Sequence, residues 1–243
     1  MKPLDGLRLY EIVLLVLGIL LFLVLVFALL RFVMKGKPLG GLLAFFAIPI
    51  VMIGYPSIKS IEISKDTVKL EKITEELRKE PTNTTLRQEL KTTVDQVASR
   101  PVTSANRAAI IANAQFALGD DSAATATLAQ ALRIDPNAPK AAELQKKIEV
   151  LHNLESLAAR VEKNPGDPNA RAELASSVAK VSSAAIANPK ALMTIARAQA
   201  AIGEHEKALV TAETAVKVNP VSIEATALRN AISARVVLPT PKP

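Results

Sequence analysis

The residues of this 243-residue chain that most often carry out acid–base or metal chemistry are few and far apart. Its two histidines, His152 and His205, each lie in a charged, helix-favouring context typical of a solvated surface. Carboxylates are adjacent at 75–76 and 120–121, but the second pair precedes a helical pattern, where acids stabilise the helix dipole as caps. The chain has no cysteine and none of the motifs GxGxxG, GxxxxGKS/T, HExxH or GxSxG. We therefore predict no catalytic residues, no metal, no cofactor and no enzymatic activity.

The composition argues against a nucleic-acid partner. The formal net charge is +7, yet positions 1–60 hold six basic and two acidic side chains and so account for +4 of it. Seven of the eight aromatic residues lie at positions 1–55, which leaves Phe116 as the one aromatic residue of the remainder. Without a basic stripe or a series of aromatic rings on which bases stack, we predict no nucleic-acid binding.

Two uncharged apolar runs near the N-terminus predict a membrane anchor. Residues 12–30 and 38–58 contain no charged residue, and each run is long enough to cross about 30 Å of hydrocarbon as a helix. We predict transmembrane helices at about 12–32 and 38–56, within an anchor that covers 1–58. A cleaved signal peptide fits the first run less well, because the run is too long and no small-residue cleavage site follows it.

The predicted loop between the two spans decides the orientation. Its residues 31–37 carry three basic residues and no acid, and basic loops favour the cytoplasmic side. The domain that follows is then extracytoplasmic and is joined to the second span by a short connector at 57–64. Lys59, Lys65 and Lys69 follow the second span, so a cytoplasmic domain stays open as the alternative. We predict an integral protein of a bacterial inner membrane.

Beyond the anchor, a pattern of small residues occurs twice with a constant offset of 84 in residue number, which we call the repeat offset. The first set is Ala112, Gly119, Ala124, Ala131 and Pro136, and the second is Ala196, Gly203, Ala208, Ala215 and Pro220. Small residues let two helices cross closely, the glycine permits a tight turn, and the proline ends the second helix. The segments from Leu70 and Leu154 align with the same offset and without gaps. We therefore predict two tandem units, 59–153 and 154–235, and a disordered, proline-rich tail at 236–243.

The segment 139–164 joins the two units. It has no internal glycine or proline, and its apolar residues recur at helical spacing. We therefore predict a single helix of about 40 Å that both units share.

In this register the two copies resemble the tetratricopeptide repeat, a pair of helices whose pattern is about 34 residues long. The resemblance rests on small residues at the eighth, twentieth and twenty-seventh positions, glycine at the fifteenth and proline at the thirty-second. The family's usual aromatic residues are replaced by Ala108, Gln115 and Leu128 in the first copy and by Leu192, Gln199 and Ala212 in the second. The resemblance implies an all-α protein in which a transmembrane helical hairpin precedes an α-solenoid.

The same resemblance implies a binding surface. Stacked helical pairs present a concave groove to partner peptides, and the first helix of each pair should line it. The residues that it assigns to the groove are Asn106, Ala109, Asn113 and Phe116 in the first copy and Lys190, Met193, Arg197 and Ala200 in the second. In family members that hold a peptide's C-terminal carboxylate, Asn and Lys or Arg recur on this face, but Ala109 and Met193 replace expected donors here. An ordinary polar surface stays open as the alternative, and Phe116 is either a core residue or an exposed anchor.

The leading functional hypothesis is a scaffold or assembly factor that binds a partner protein of a membrane or envelope complex, while residues 12–58 contact the bilayer. A second hypothesis is a structural accessory subunit that its transmembrane hairpin holds in a larger membrane complex. A third rests on architecture alone. Some bacterial cytochrome c maturation factors also join two N-terminal spans to a tetratricopeptide domain, although the loop at 31–37 is shorter than theirs usually is.

Overall fold

A computed structural model describes residues 9–34, 45–181 and 186–237, and all regular secondary structure in these three segments is helical. The helices are α1 (Leu9–Met34), α2 (Ala47–Lys79), α3 (Thr84–Ala98), α4 (Ala105–Leu118), α5 (Asp121–Ile134), α6 (Pro139–Lys163), α7 (Pro168–Val181), α8 (Pro189–Ile202), α9 (His205–Val218) and α10 (Ile223–Val237). The prediction of an all-α protein is confirmed for the described residues.

Within the described segments, α1 is the one helix that is long and apolar enough to cross a membrane, over Ile12–Arg31. Most of its large apolar side chains are exposed, and Phe27, for example, is 66% exposed. Such a surface is unfavourable in water and favourable in hydrocarbon. The first predicted span therefore coincides with a helix of suitable length and composition.

α1 packs against the first part of α2. A Cβ atom placed on Gly18 would lie 2.9 Å from the Cβ atom of Met52, so the two backbones approach closely at this glycine. One turn further along α1, the ring of Phe22 meets the ring of Phe46 edge-on, with centroids 5.7 Å apart. The two contacts run in opposite directions along the chain, so the helices are antiparallel where they touch.

The second predicted span is only partly covered, because its residues 38–44 lie outside the described segments. The residues that follow form the beginning of α2, which continues without interruption to Lys79. The connector predicted at 57–64 was therefore wrong, since this segment is helical. It contains no glycine or proline, and extending an existing helix costs less free energy than ending it and nucleating another.

The helices reproduce the repeat offset. α3 and α7 begin at 84 and 168, α4 and α8 at 105 and 189, α5 and α9 at 121 and 205, and α6 and α10 at 139 and 223. The predicted small positions are fully buried, at 0% exposure: Ala112, Ala124, Ala131, Ala196, Ala208 and Ala215. Each copy thus places alanine where two helices cross with no room for a larger side chain.

The predicted turns and helix ends are also present. Gly119 and Gly203 end α4 and α8 in the left-handed conformation, with φ of +89° and +94°, which glycine adopts without the steric cost of a Cβ atom. α5 and α9 end just before Pro136 and Pro220. The predicted shared helix is α6, whose 25 residues extend about 38 Å.

From α2 onward the helices pack in the order of the chain. Each of the even-numbered helices α2, α4, α6 and α8 contacts the next even-numbered helix, and every odd-numbered helix from α3 to α9 packs against its two flanking neighbours. The buried residues form successive clusters rather than one centre. The first cluster, for example, joins α2, α3 and α4 around Leu70, Leu77, Leu90 and Ile111.

Candidate functional site: a pocket where the two units meet

The start of α8 in the second unit is fastened to the first unit by a buried asparagine. Asn188 is 1% exposed. Its Oδ1 atom caps α8 by accepting hydrogen bonds from the backbone N–H groups of Lys190 and Ala191, at 2.8 and 3.1 Å. Its Nδ2 atom donates to Oδ1 of Asp121 in the first unit at 2.7 Å. One side chain therefore both begins α8 and ties it to the start of α5.

Two further contacts hold this junction closed. Nη2 of Arg87 donates to the carbonyl oxygen of Ala187 at 2.8 Å. A Cβ atom on Gly119 would lie 2.9 Å from two ring carbons of Pro189, so only a glycine leaves room for the second unit there. The segment Ala187 to Pro189 is consequently held in one position against the first unit.

Beside this segment lies a cavity of about 470 Å³, which we call the junction pocket. It is bounded by α4, α6, the end of α7 and the segment before α8. Its apolar lining consists of Phe116, Ala117, Val150, Leu151, Val181, Ile186 and Ala187. The volume falls within the range of about 300 to 1,000 Å³ that is usual for small-molecule sites.

The remaining lining of the junction pocket is mostly basic. It consists of Arg78, Lys146, Lys147 and Lys180, one carboxylate, Glu143, and the amides of Asn113 and Asn188. At neutral pH four cations and one anion therefore line the pocket, and one of the cations, Arg78, is also paired with Glu75, with 3.5 Å between Nη1 and Oε2. A predominantly basic lining around an apolar cavity favours a ligand that is apolar along its length and negatively charged at one end.

The single carboxylate is itself held in the ionised form. Nζ of Lys147 donates to Oε1 of Glu143 at 2.6 Å. This hydrogen bond is the largest cause of a lowered pKa for Glu143, followed by the charge of Lys147 and then, against a small opposing effect of burial, the charges of Arg78 and Lys140. Because Glu143 is paired with Lys147 within one helix, these two charges largely cancel, and Lys146 and Lys180 add positive charge to the lining of the pocket.

A second, more polar cavity of about 220 Å³ adjoins the junction pocket and shares Arg78, Asn113, Glu143 and Lys147 with it. It lies between α2, α4 and α6. The ion pair of Lys140 with Glu71 connects α6 to α2 at its edge. The two cavities together follow the surface of three successive even-numbered helices.

Three of the predicted groove residues of the first copy lie in these cavities. Asn113 lines both, Phe116 lines the junction pocket, and Ala109 lines the polar cavity. Ala109 is almost completely buried, at 1% exposure, so it lies at the bottom of the polar cavity rather than at its opening. Phe116 is half-buried and packs against the core cluster of α4, α5 and α6, so it combines the two roles that the sequence left open. Asn106 is exposed near the beginning of α4.

The predicted residues of the second copy are not brought to the same place. Arg197 lines a separate cavity of about 110 Å³ together with Glu155 and Glu162. Lys190 forms an ion pair with Asp121, with 3.6 Å between Nζ and Oδ2. Met193 and Ala200 are half-buried and pack against the core clusters of the second unit. The eight predicted residues therefore do not form one surface patch.

Sequence reasoning missed the basic side of the pocket. The missed residues are Arg78, Lys146, Lys147 and Lys180. On α6, Glu143, Lys147 and Val150 follow one another at the spacing of a helix face, but only the apolar core positions of this helix had been considered. A comparison of the two copies gives a second signal, since Asn230 and Ala231 stand at the positions equivalent to Lys146 and Lys147 by the repeat offset.

The two histidines take no part in this site. His152 is exposed on α6 with its Nδ1 atom 3.9 Å from Glu155 Oε2, and His205 is the first residue of α9. In the segments described, no group of three or more His, Asp or Glu side chains is placed to hold a metal ion. The site is thus defined by shape, apolar surface and positive charge.

In the part of the chain that the structure describes, the fold is all-helical, one helix near the N-terminus is apolar enough to cross a membrane, and a cavity with several basic lining residues lies between the two units. No family model matches the chain, and no curated protein or solved structure is significantly similar to it.

Proposed function

We propose that this chain is a membrane-attached α-solenoid that binds a partner protein along the groove of its even-numbered helices. The observation that carries the proposal is the packing order, in which each even-numbered helix from α2 to α8 contacts the next one. Helices in such a row present a continuous inner surface, which repeat proteins use to bind extended peptides. The resemblance of both copies to the tetratricopeptide repeat agrees with this order. The chain then acts as a scaffold or assembly factor.

The proposed attachment is a pair of antiparallel spans at about 12–32 and 38–56. α1 is apolar enough for the first span, and its close approach to α2 at Gly18 supports a hairpin. A hairpin places both chain ends on one side of the membrane, and the basic loop at 31–37 favours the cytoplasm for the loop. We therefore propose an extracytoplasmic repeat domain on a bacterial inner membrane, with a cytoplasmic domain as the alternative.

Crosslinking of the full chain in native membranes, followed by mass spectrometry of the attached proteins, tests the groove. We expect the double substitution Asn113→Glu and Arg197→Glu to remove the principal crosslinked protein, because it places one acid in each of two separate cavities along the proposed groove, on α4 and on α8. The matched control is Thr125→Glu with Lys217→Glu, which makes the same change in net charge at exposed positions of α5 and α9. Crosslinking that survives the groove substitutions, or that is lost equally in the control, would overturn the proposal.

A second candidate function is an accessory subunit that is held in a larger complex by its apolar helices. The observation that favours it is the large exposed apolar surface of α1, on which side chains such as Leu23 (62% exposed) and Phe27 are available to neighbouring membrane helices. Replacing residues 12–56 by an unrelated hairpin of equal length distinguishes the two functions. Loss of incorporation into the complex after this exchange supports the subunit, whereas the scaffold tolerates it.

A further inference from the structure

We propose that the junction pocket binds a long-chain fatty acid, with the alkyl chain in the cavity and the carboxylate at the basic rim. The cavity of about 470 Å³ is large enough for a ligand of this class. The inference concerns a small molecule and stands independently of the proposed partner protein.

The apolar lining favours an alkyl chain over a peptide. Phe116, Val150, Leu151, Val181 and Ile186 present only hydrocarbon to the cavity. A peptide would bring backbone N–H and C=O groups that need hydrogen-bond partners, and burying them against such a lining is costly. An alkyl chain has no polar group to satisfy and gains free energy with each methylene that it buries.

The rim favours a negatively charged head group. Lys146 on α6 and Lys180 at the end of α7 both line the pocket and are both exposed. Arg78 lines the cavity from α2, where it is ion-paired with Glu75, and Glu143 is paired with Lys147. A carboxylate at the mouth would lie among these cations without displacing the pair on α6.

The pocket is particular to the junction rather than a property of the repeat. The packing positions are the same or similar in both copies, as at Leu90 and Leu174, which are both fully buried. The pocket positions differ, because the repeat offset pairs Lys146, Lys147, Val150 and Leu151 with Asn230, Ala231, Ala234 and Arg235. An apolar cavity with a basic rim is therefore formed once by these elements and is not required to build the repeat.

Photo-crosslinking of the full chain in nanodiscs of neutral phosphatidylcholine tests the site. The probe is a sixteen-carbon fatty acid with a diazirine in its alkyl chain, and labelled peptides are identified by mass spectrometry. We expect labelling of peptides that contain Phe116, Val150, Leu151 or Ile186. Unlabelled palmitate should compete at least tenfold better than hexadecanol or hexadecyltrimethylammonium, which share the chain length but lack the negative charge.

Chain length gives an independent measure of the cavity. Each added methylene should improve competition by up to about fourfold until the cavity is filled, because burial of one methylene contributes about 0.8 kcal/mol. Competition that does not change between ten and sixteen carbons would contradict an alkyl chain in the pocket.

Substitutions separate the rim from the cavity. Lys146→Glu with Lys180→Glu should reduce labelling at least tenfold, whereas the control Lys163→Glu with Lys217→Glu makes the same charge change at exposed positions away from the pocket and should leave it intact. Val150→Phe keeps every charge and should reduce labelling by filling the half-buried space. Equal labelling of the rim and control variants, label concentrated in α1, or equal competition by hexadecanol would overturn the inference.

Discussion

Arg87 in the first unit donates a hydrogen bond of 2.8 Å to the backbone carbonyl of Ala187, which lies 100 residues later in the chain. The same guanidinium group donates to the carbonyl oxygens of Leu118 at 3.4 Å and Pro81 at 3.3 Å. The guanidinium group therefore joins the turn at Pro81, the end of α4 and the segment that precedes α8. Partial burial lowers the pKa of Arg87 from its ordinary value, but an arginine stays charged at neutral pH.

The repeat supplies a control for this contact. Arg171 is equivalent to Arg87 and donates to the carbonyl of Ile202 at 3.3 Å, but its side chain is exposed. We expect Arg87→Ala to lower the free energy of unfolding by about 1.5 to 3 kcal/mol, because a charged donor is lost from buried carbonyls. Arg171→Ala should cost less, about 0.5 to 1 kcal/mol. Denaturant unfolding of the full chain measures both changes. Equal losses of unfolding free energy would show that the hydrogen bond from Arg87 to Ala187 adds nothing to stability.

The two turn glycines test the packing of the units in another way. Alanine at either position must adopt a positive φ, which costs about 1 kcal/mol or more. At Gly203 the nearest atom to a new Cβ is Nη2 of Arg171 at 3.7 Å, whereas at Gly119 the ring of Pro189 lies at 2.9 Å. Gly119→Ala should therefore lower the melting temperature more than Gly203→Ala. A larger decrease in melting temperature for Gly203→Ala would mean that Pro189 can move away from position 119 at little cost in free energy.

Two buried glutamines at equivalent positions of the two copies, Gln115 and Gln199, give a prediction about a single hydrogen bond. Oε1 of Gln199 accepts a hydrogen bond of 2.8 Å from Oγ1 of Thr211. Oε1 of the equivalent Gln115 is buried and has no partner among the described residues, although Thr127 occupies the equivalent position. We expect Thr211→Val, which removes the hydroxyl at constant shape, to cost about 1 kcal/mol. Thr127→Val should be nearly neutral by thermal unfolding, and a larger loss there would reveal a hydrogen bond to Gln115.

The repeat itself could be predicted from the sequence because its determinants are local. Gly119 and Gly203 are needed for a left-handed turn, and alanines at fixed intervals are needed where helices cross, so residue type and spacing suffice. The junction could not be predicted in this way. Arg87 and Ala187 are 100 residues apart in the chain and meet only after the intervening helices have packed. The basic lining of the junction pocket likewise combines Arg78 and Lys180, which belong to helices far apart in the chain. The connector predicted at 57–64 is instead part of α2, because the segment contains no glycine or proline that would end a helix.

The lowered pKa of Glu143 predicts a pH dependence. Its folded-state pKa lies below the unfolded value, so the pair with Lys147 stabilises the fold above the unfolded pKa and loses this contribution as the pH falls through the folded pKa. Lys147→Gln should raise the pKa of Glu143 in a carbon-13 NMR titration. Lys140→Gln should raise it less, because Lys140 acts only through its charge. At neutral pH the Lys147→Gln variant should be only about 0.3 to 0.5 kcal/mol less stable than the unmodified chain, because the ion pair is exposed on one helix. This difference in the free energy of unfolding should vanish at low pH.

Disulfide formation tests the packing of α1 on α2 without interference, since the chain contains no cysteine. A Cβ atom at position 18 would lie 2.9 Å from that of Met52, so the two helices need to separate by only about 0.6 Å to reach the usual range of about 3.5 to 4.5 Å in disulfides. Gly18→Cys with Met52→Cys should therefore form an intramolecular disulfide in membranes after mild oxidation. Ile19→Cys with Met52→Cys is the control, because Ile19 is 44% exposed on the neighbouring position of α1. Fast oxidation of both pairs would indicate that α1 rotates freely, and oxidation of neither would separate α1 from α2 and remove the support for a two-span hairpin.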